Sequence, residues 1–365
     1  MSRKRIALLC NYELLPNRVG GMDHFFWSFN AKCLAEGITV DWFFPNTATH
    51  GAYDTFNIYA SGSPNVESCF IEVASQPEQH YDVIVTHFLE LNTAFYKRVK
   101  AICNSVLIGV EHNPRPMGGY SFKKRLKKRL KGLLYSRYID VFIGVSNSTV
   151  AELVEDYGGI IASKTKTIYN GVLIDEIVPN TQPRRLHNPS YLVVSHLRPS
   201  KGIQDLIHAV HKIPEEIQQH IRIDVYGDGP YRATLQDMVT AYKLGAVFTF
   251  KGSSSELHRL YSKYDYMLQP THMECFSLSI LESLAANVPV VTTNVGGNEE
   301  VISSHGNGYI YPAKDIYRLK ALLIHLYEGT YSISADTRPL IRNSFSIERM
   351  VAHHFDLIQT CVTKS

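Results

Sequence analysis

Two glutamates, Glu274 and Glu282, stand eight positions apart in the segment Glu274-Cys-Phe-Ser-Leu-Ser-Ile-Leu-Glu282. The apolar run before them ends at Gln269-Pro270-Thr271, so Glu274 falls in the loop at a strand's carboxyl end. Ser277 reads as the N-cap of the following helix, and Glu282 lies one turn inside it. The first N–H groups of that helix, at Ser277 to Ser279, lack intrahelical partners and carry partial positive charge, which suits a phosphate. Glu274 can then accept hydroxyls of a sugar and Glu282 those of a ribose. Taken alone, the pair reads equally well as two surface carboxylates.

The neighbouring turns supply the charges that such chemistry needs. Ser195-His-Leu-Arg-Pro-Ser-Lys-Gly202 follows an apolar run and sets Arg198 and Lys201 just before a helix. Two cations there would neutralise a diphosphate, each contact at about 4 Å being worth roughly 4 kcal/mol at an effective dielectric near 20, before desolvation. Gly227-Asp-Gly-Pro230 and Gly296-Gly-Asn-Glu-Glu300 close further strands with tight turns. A structural turn explains any one of these; their recurrence at strand ends points to a ligand.

The elements that must position these residues follow a regular rhythm. Short Val- and Ile-rich runs at 6–9, 39–44, 82–86, 106–110 and 141–145 predict strands, with helices at 23–36, 91–101 and 147–156. Pro179 to Pro189 holds three prolines in eleven residues and reads as a linker. The rhythm restarts with strands at 191–195, 222–226, 247–250, 266–269 and 288–292 and helices at 204–210, 230–244, 256–264 and 278–286. Such β-α-β alternation implies parallel sheets covered by helices on both faces. The expected architecture is α/β: two doubly wound, Rossmann-like domains facing across a cleft. Residues 1–178 form an acceptor-side domain, 179–189 a linker, 190–345 a nucleotide-sugar donor domain, and 346–365 a helix that packs back on the first domain. Ligands of such sheets sit at the carboxyl ends of the strands.

The second half resembles the donor domain of the GT-B glycosyltransferases, in particular the retaining GT4 family. The resemblance runs in order through Arg198…Lys201-Gly202, Gly227-Asp-Gly-Pro230, Glu274-x7-Glu282, Val288-Pro-Val-Val291, Gly296-Gly-x-x-Glu300 and Gly308. The first half is similar more loosely, through Gly20-Gly21, Val110-Glu-His-Asn113, Val145-Ser146 and Asn170-Gly171-Val172. The resemblance implies that Arg198 and Lys201 hold the donor diphosphate, Glu274 positions the transferred sugar, and Glu282 binds the ribose. Backbone groups of Phe276, Ser277 and Leu278 would meet the diphosphate and sugar. Gly20 and Gly21 would form a phosphate-facing loop, Gly227 would contribute to the donor site, and His112 would face the sugar. Beside that role, His112 also reads as a core histidine at a strand end. Asp23 reads either as an acceptor contact or as an ordinary helix N-terminal aspartate.

Three positions depart from the family pattern. Cys275 stands where a glycine usually follows the first glutamate, Asn287 where a glycine usually precedes Val-Pro-Val, and His196-Leu197 where Gly usually precedes Arg. Asn tolerates the left-handed backbone, so Asn287 is a mild change; Cys275 bears on which sugar is taken. No D-x-D triplet occurs, which agrees with basic side chains in place of a divalent cation. No G-x-G-x-x-G follows a strand and no G-x-S-x-G is present, so a nicotinamide loop and a serine hydrolase elbow are both missing. No cofactor and no metal are expected; His353-His354 lacks a third ligand at useful spacing.

Phe122-Lys-Lys-Arg-Leu-Lys-Lys-Arg-Leu-Lys131 holds seven cations in ten residues. Phe122, Leu126, Leu130, Leu133 and Leu134 fall on one helical face. Either that stripe packs on its own sheet and leaves solvated cations outside, or the helix lies on an anionic membrane surface, with Lys123 to Lys131 meeting the lipid. The whole chain of 365 residues carries 37 Lys and Arg against 34 Asp and Glu, too balanced for a nucleic-acid binder. Its six scattered cysteines read as reduced thiols of a cytoplasmic protein, and no apolar run reaches the length of a membrane span. The expected function is metal-independent, retaining transfer of a hexose-type sugar from a nucleotide sugar, UDP-linked by family default, to a hydroxyl of a glycan or lipid-linked acceptor. The setting is bacterial cell-envelope polysaccharide synthesis, on the cytoplasmic side and peripheral to the inner face of the membrane. Other readings are a non-catalytic sugar-nucleotide or membrane-surface binding subunit, and a GT-B epimerase or phosphorylase.

Overall fold

The computed structural model describes residues 4–63, 65–116 and 118–362. The last three residues of the expected final helix, 363–365, lie outside the described residues. The chain divides into two units, Met1–Gly171 with Ile347–Ser365, and Val172–Ser346.

The first unit contains seven strands: β1 (Arg5–Cys10), β2 (Thr39–Phe44), β3 (Asn57–Ala60), β4 (Val83–His87), β5 (Val106–Glu111), β6 (Val141–Gly144) and β7 (Thr165–Thr167). They pair in parallel in the order β3-β2-β1-β4-β5-β6-β7. The second unit contains β8 (Tyr191–Val194), β9 (Ile223–Tyr226), β10 (Phe248–Gly252), β11 (Tyr266–Gln269), β12 (Val290–Thr293) and β13 (Gly308–Tyr311), also parallel, in the order β10-β9-β8-β11-β12-β13. Each sheet is therefore doubly wound, and its strand order reverses between β1 and β4, or between β8 and β11. Loops leaving the carboxyl ends of those strands diverge and leave a crevice, where such sheets take ligands.

The interior strands are those the apolar runs predict. β3, β7 and β13 have no counterpart in that reading, and all three are sheet edges. An edge strand needs less apolar sequence: Asn57-Ile-Tyr-Ala and Thr165-Lys-Thr contain no buried residue. The expected helix at 256–264 is broken into Leu257–Leu260 and a 3-10 turn at Tyr261–Lys263, which turns Tyr261 fully inward.

The proline-rich segment 179–189 is not a free tether. It is laid along the second unit, and the division between units falls earlier, at Gly171. Asn180 N–H donates to Ala286 O at 2.7 Å, Arg184 donates to Asn287 O at 2.8 Å and Ile333 O at 2.7 Å, and Arg185 pairs with Asp265 at 2.9 Å. The prolines supply extended backbone, and polar side chains fix it. Asn287 does adopt the left-handed φ of +58°.

The last helix, Ile347–Val362, belongs to the first unit and buries Met350, Val351, His354, Phe355 and Ile358. His354 lies 5.0 Å from Phe25 of the helix Gly21–Ala35, ring to ring, and Lys4 reaches Gln359 at 2.7 Å.

One buried carboxylate ties together the far edge of the first sheet. Asp41 on β2, fully buried, accepts from Arg5 on β1 at 2.6 Å, Asn57 on β3 at 2.7 Å and the Tyr81 hydroxyl at 2.8 Å. Asp41→Ala would strand the guanidinium, but Arg5 keeps 27% exposure and so some access to water. The expected loss in urea denaturation is about 2–3 kcal/mol, below the full cost of breaking a sealed pair. A change inside the ~0.5 kcal/mol of an ordinary surface substitution would overturn this account.

Candidate active site

In the second unit, the reversal point lies between β8 and β11, and the loops leaving these two strands hold most of the charged residues expected there. After β8 the chain runs through Ser195 to Leu197, then makes a 3-10 turn, Pro199–Lys201, and leaves at Gly202 with φ +70°. After β11 it runs through Thr271 to Glu274. The two loops are bonded to each other: His272 N–H donates to Ser200 O at 2.8 Å, and Lys201 Nζ meets Glu274 Oε2 at 2.7 Å. Lys201 and Glu274 are thus brought together as an ion pair. Arg198 is exposed beside them, and its guanidinium joins no ion pair among the described residues.

Glycine backbones press these loops into place. A Cβ on Gly296 would stand 1.8 Å from the Glu274 carbonyl oxygen, and one on Gly227 1.9 Å from that of Ser195. Both have positive φ, +55° and +120°. Neither approach is open to another residue type. Gly227 therefore shapes the loop before Arg198 through its backbone, and Gly297 N–H holds Cys275 O at 2.8 Å. Cys275 and Phe276 are buried.

Ser277 caps the helix Leu278–Ala285, as its position predicts: its hydroxyl accepts from Ile280 N–H at 3.4 Å. The buried Gln269 at the end of β11 donates to Ser277 Oγ at 2.5 Å and to Ser279 Oγ at 3.0 Å. Its carbonyl oxygen accepts from Thr292 Oγ at 3.2 Å, and Thr292 in turn accepts from Asn298 at 3.1 Å. This chain connects the helix start beside Glu274 with the glycine turn that fixes Glu274. Glu282 accepts from the Tyr261 hydroxyl at 2.8 Å, and burial pushes its carboxyl up to about 7.

In the first unit the corresponding reversal point lies between β1 and β4. Gly20 is the N-cap of the helix Gly21–Ala35, and its N–H donates to Asp23 Oδ2 at 2.9 Å. Asp23 is fully buried and also accepts from the Tyr12 and Tyr53 hydroxyls at 2.9 and 2.7 Å. Its carboxylate thus holds the glycine loop, as a helix N-terminal aspartate does. His112, one residue beyond β5, bonds through Nε2 to Nδ1 of His87 at 3.0 Å and stacks at 4.3 Å on Phe88. Phe88 has φ +58°, a rare conformation for a bulky side chain. Burial lowers His87 far below the usual range and His112 and His354 to about 3, so all three are neutral near pH 7. Beside them, at the carboxyl ends of β4 and β5, lies a cavity of about 330 Å³ lined by Phe88, Glu111, Asn113, Arg115, Tyr120 and Glu152. Burial raises Glu111 and Glu152.

Several supporting residues escape a sequence reading. Gln269 behind Ser277 and His87 behind His112 each end or follow an apolar run, and Tyr261 behind Glu282 falls inside an expected helix, so all three pass for scaffold. Asp205, in the first turn of the helix Ile203–His211, pairs at 2.6 Å with His272 of the loop that carries Glu274. Only proximity reveals these pairs.

Two parallel, Rossmann-like units of this kind, with ligand loops at the reversal points, define a GT-B glycosyltransferase fold. Residues 176–338 match the family model of the glycosyl transferases group 1, and residues 19–176 that of glycosyltransferase family 4. The chain belongs to the group 1 glycosyltransferases. It is 27% identical over 350 residues to an uncharacterized glycosyltransferase of Methanocaldococcus jannaschii, covering 84% of this chain and 85% of that one. It is 31% identical to the N-acetyl-alpha-D-glucosaminyl L-malate synthase of Bacillus anthracis, over 59% of this chain and 58% of that one. Among solved structures, Anabaena HepE in complex with UDP-glucose superposes with a TM-score of 0.75 at 18% identity, covering 98% of this chain and 99% of that one. The sucrose-phosphate synthase of Thermosynechococcus elongatus gives a TM-score of 0.78 at 18% identity over the full length of both.

The raised Glu282 carboxyl has a signed consequence. The folded state holds a proton up to about pH 7, whereas the unfolded carboxyl releases it near 4.5. The unfolded state therefore binds fewer protons between those values, and stability falls as pH rises through that window. Glu282→Gln keeps the acceptor for Tyr261 and removes the charge. Its thermal midpoint is expected to equal that of the parent near pH 4 and to exceed it at pH 8, by a stability gain on the order of 3 kcal/mol at most. A difference that stays flat with pH would sink the assignment.

Proposed function

We propose that this glycosyltransferase moves a hexose-type sugar from a UDP-sugar to a hydroxyl acceptor, with retention at the anomeric carbon. The setting we infer is cell-envelope polysaccharide synthesis at the inner face of a bacterial membrane. The observation that carries the reading is the Lys201–Glu274 pair at 2.7 Å beside the N-terminus of the helix Leu278–Ala285, at the reversal point of the second sheet. Lys201 and the exposed Arg198 would take the donor diphosphate, with backbone groups of Phe276, Ser277 and Leu278 completing its cradle. As the glycosidic bond breaks, negative charge grows on the leaving diphosphate, and fixed cations favour that state over the bound donor. This cation pair would do the work of a metal. Glu274 would accept sugar hydroxyls and Glu282 those of the ribose.

The first unit would supply the acceptor side. Its 330 Å³ cavity has room for a sugar unit, and the carboxyls of Glu111 and Glu152 suit hydroxyl recognition. His112, held neutral, would offer a hydrogen bond to the sugar, and Gly20 and Gly21 an open backbone edge to phosphate. Gly227 would act through the loop it packs.

Two measurements test this. UDP at about a hundred times its dissociation constant should stabilise the protein by roughly 2.7 kcal/mol, with and without EDTA. A shift that EDTA abolishes would overturn the metal-independent site. Lys201→Ala, Arg198→Ala and Glu274→Ala should each slow sugar transfer from UDP-sugars by about a hundredfold or more while folding normally. Near-parental rates in all three would remove the site assignment. Product analysis by NMR, with inversion or free epimer as the contrary result, tests retention.

A further inference from the structure

The helix Phe122–Tyr135 is seated with its apolar side outward. Phe122 is 81% exposed, Leu126 52%, Leu130 50%, Leu133 61% and Leu134 57%. Of the thirteen exposed large apolar side chains among the described residues, these five lie on one helix. The expectation that the stripe packs on its own sheet is thus overturned: part of the cationic side packs instead. Lys128, 14% exposed, pairs with Asp156 at 2.8 Å and lies over Tyr120 and Tyr157; Lys131 pairs with Glu90 at 2.5 Å. Gly132 is the buried contact, where a Cβ would stand 2.1 Å from Tyr157 O, so this edge of the helix rests directly on backbone. Long lysine stems can lie on a protein surface while their heads find carboxylates.

At 100° per residue, Lys123 and Lys127 fall along one margin of the stripe and Arg129 and Arg125 along the other. Lys123, Lys127 and Arg129 are exposed. We propose that this face is a membrane-docking surface: the helix lies in the plane of an anionic bilayer, its leucines among the acyl chains and its marginal cations on the headgroups. Charge decides the occupant. A second copy of the helix would bring cations against cations, and a nucleic acid would leave the leucines wet. An anionic lipid surface satisfies both the stripe and its margins. The opposite side of the same helix bears Lys124 and Lys128, which line the 330 Å³ cavity. The docked helix would therefore roof the acceptor cavity at the lipid surface, which favours an acceptor carried on a lipid. The inference rests on the membrane location proposed above, but its test does not need transfer.

The full chain is floated with vesicles of phosphatidylcholine, and of phosphatidylcholine with phosphatidylglycerol, at low and physiological salt. The parent should float with the anionic vesicles, less so as salt rises. Leu126→Ser with Leu130→Ser and Leu133→Ser should weaken this by about a hundredfold, since each leucine forfeits its burial. Lys123→Gln with Lys127→Gln and Arg129→Gln should erase the anionic preference, about fivefold per cation. These side chains are exposed, so circular dichroism and the UDP shift should match the parent. Failure of the parent to float, or parental flotation by the serine variant, overturns the inference. So does a parent dimer in sedimentation that the serine substitutions dissolve without any lipid binding, which would make a second copy the occupant. Flotation intact but no UDP shift would sink the donor-site reading alone.

Discussion

The Glu274 carbonyl and the Gly296 backbone approach so closely that no side chain could stand between them. Much of the second unit follows from holding that loop still. The glycine turn presses it from one side and the Ser200 carbonyl holds it from the other through His272 N–H. Between these clamps the Glu274 carboxylate meets Lys201. Two full charges at 2.7 Å, neither fully buried, cost less to keep than one isolated charge in a crevice. They also preorganise each other. On the proposed reading a donor replaces one compensated arrangement with another: the diphosphate takes Lys201, and sugar hydroxyls take Glu274. No bare charge has to be created in passing.

The supporting residues explain why side-chain identity matters one layer behind the site. Gln269 has an amide that donates to two hydroxyls and a carbonyl that accepts from a third, so it fixes the Ser277 cap and the Thr292 strand end together. Glutamate could not donate and leucine could do neither. Tyr261 plays the matching part for Glu282. Its hydroxyl meets the carboxyl in surroundings apolar enough to lift that group to about 7.

What could be read from residues alone divides along the same physical line. The interior strands are written as continuous apolar runs because both of their faces are covered. The edge strands β3 and β7 escape notice because they contain no buried residue; β13 is mostly buried, but its Gly308-Tyr-Ile-Tyr311 lacks a Val- and Ile-rich run. The helix start after Ser277, the left-handed Asn287 and the Lys201 and Glu274 turns are legible, since caps, φ and strand ends are local properties. Partners such as His87 with His112, or Asp205 with His272, depend on elements far apart in sequence and are not. The segment 179–189 misleads because proline content reports backbone stiffness, while its attachment depends on Arg184 and Arg185. The helix 122–135 misleads for a deeper reason. Periodicity finds the apolar face but cannot say whether that face turns inward. Gly132, Asp156 and Glu90 decide it, and two of those three lie on other elements.

The two units share one topology and divide the electrostatics between them. At its reversal point the second unit gathers a lysine, an arginine and a carboxylate in loops open to solvent. At the same place the first unit gathers three histidines that burial holds neutral, and a carboxylate, Asp23, already saturated by two tyrosines and a backbone N–H. Fixed cations in a crevice suit an anionic ligand, while carboxylates and neutral donors and acceptors can position a hydroxyl. The two reversal points thus offer fixed ions on one sheet and neutral histidines on the other, with the cavity of Glu111, Arg115 and Glu152 beside the latter. On the proposed reading, that division suits a diphosphate-borne sugar at the second unit and an acceptor hydroxyl at the first.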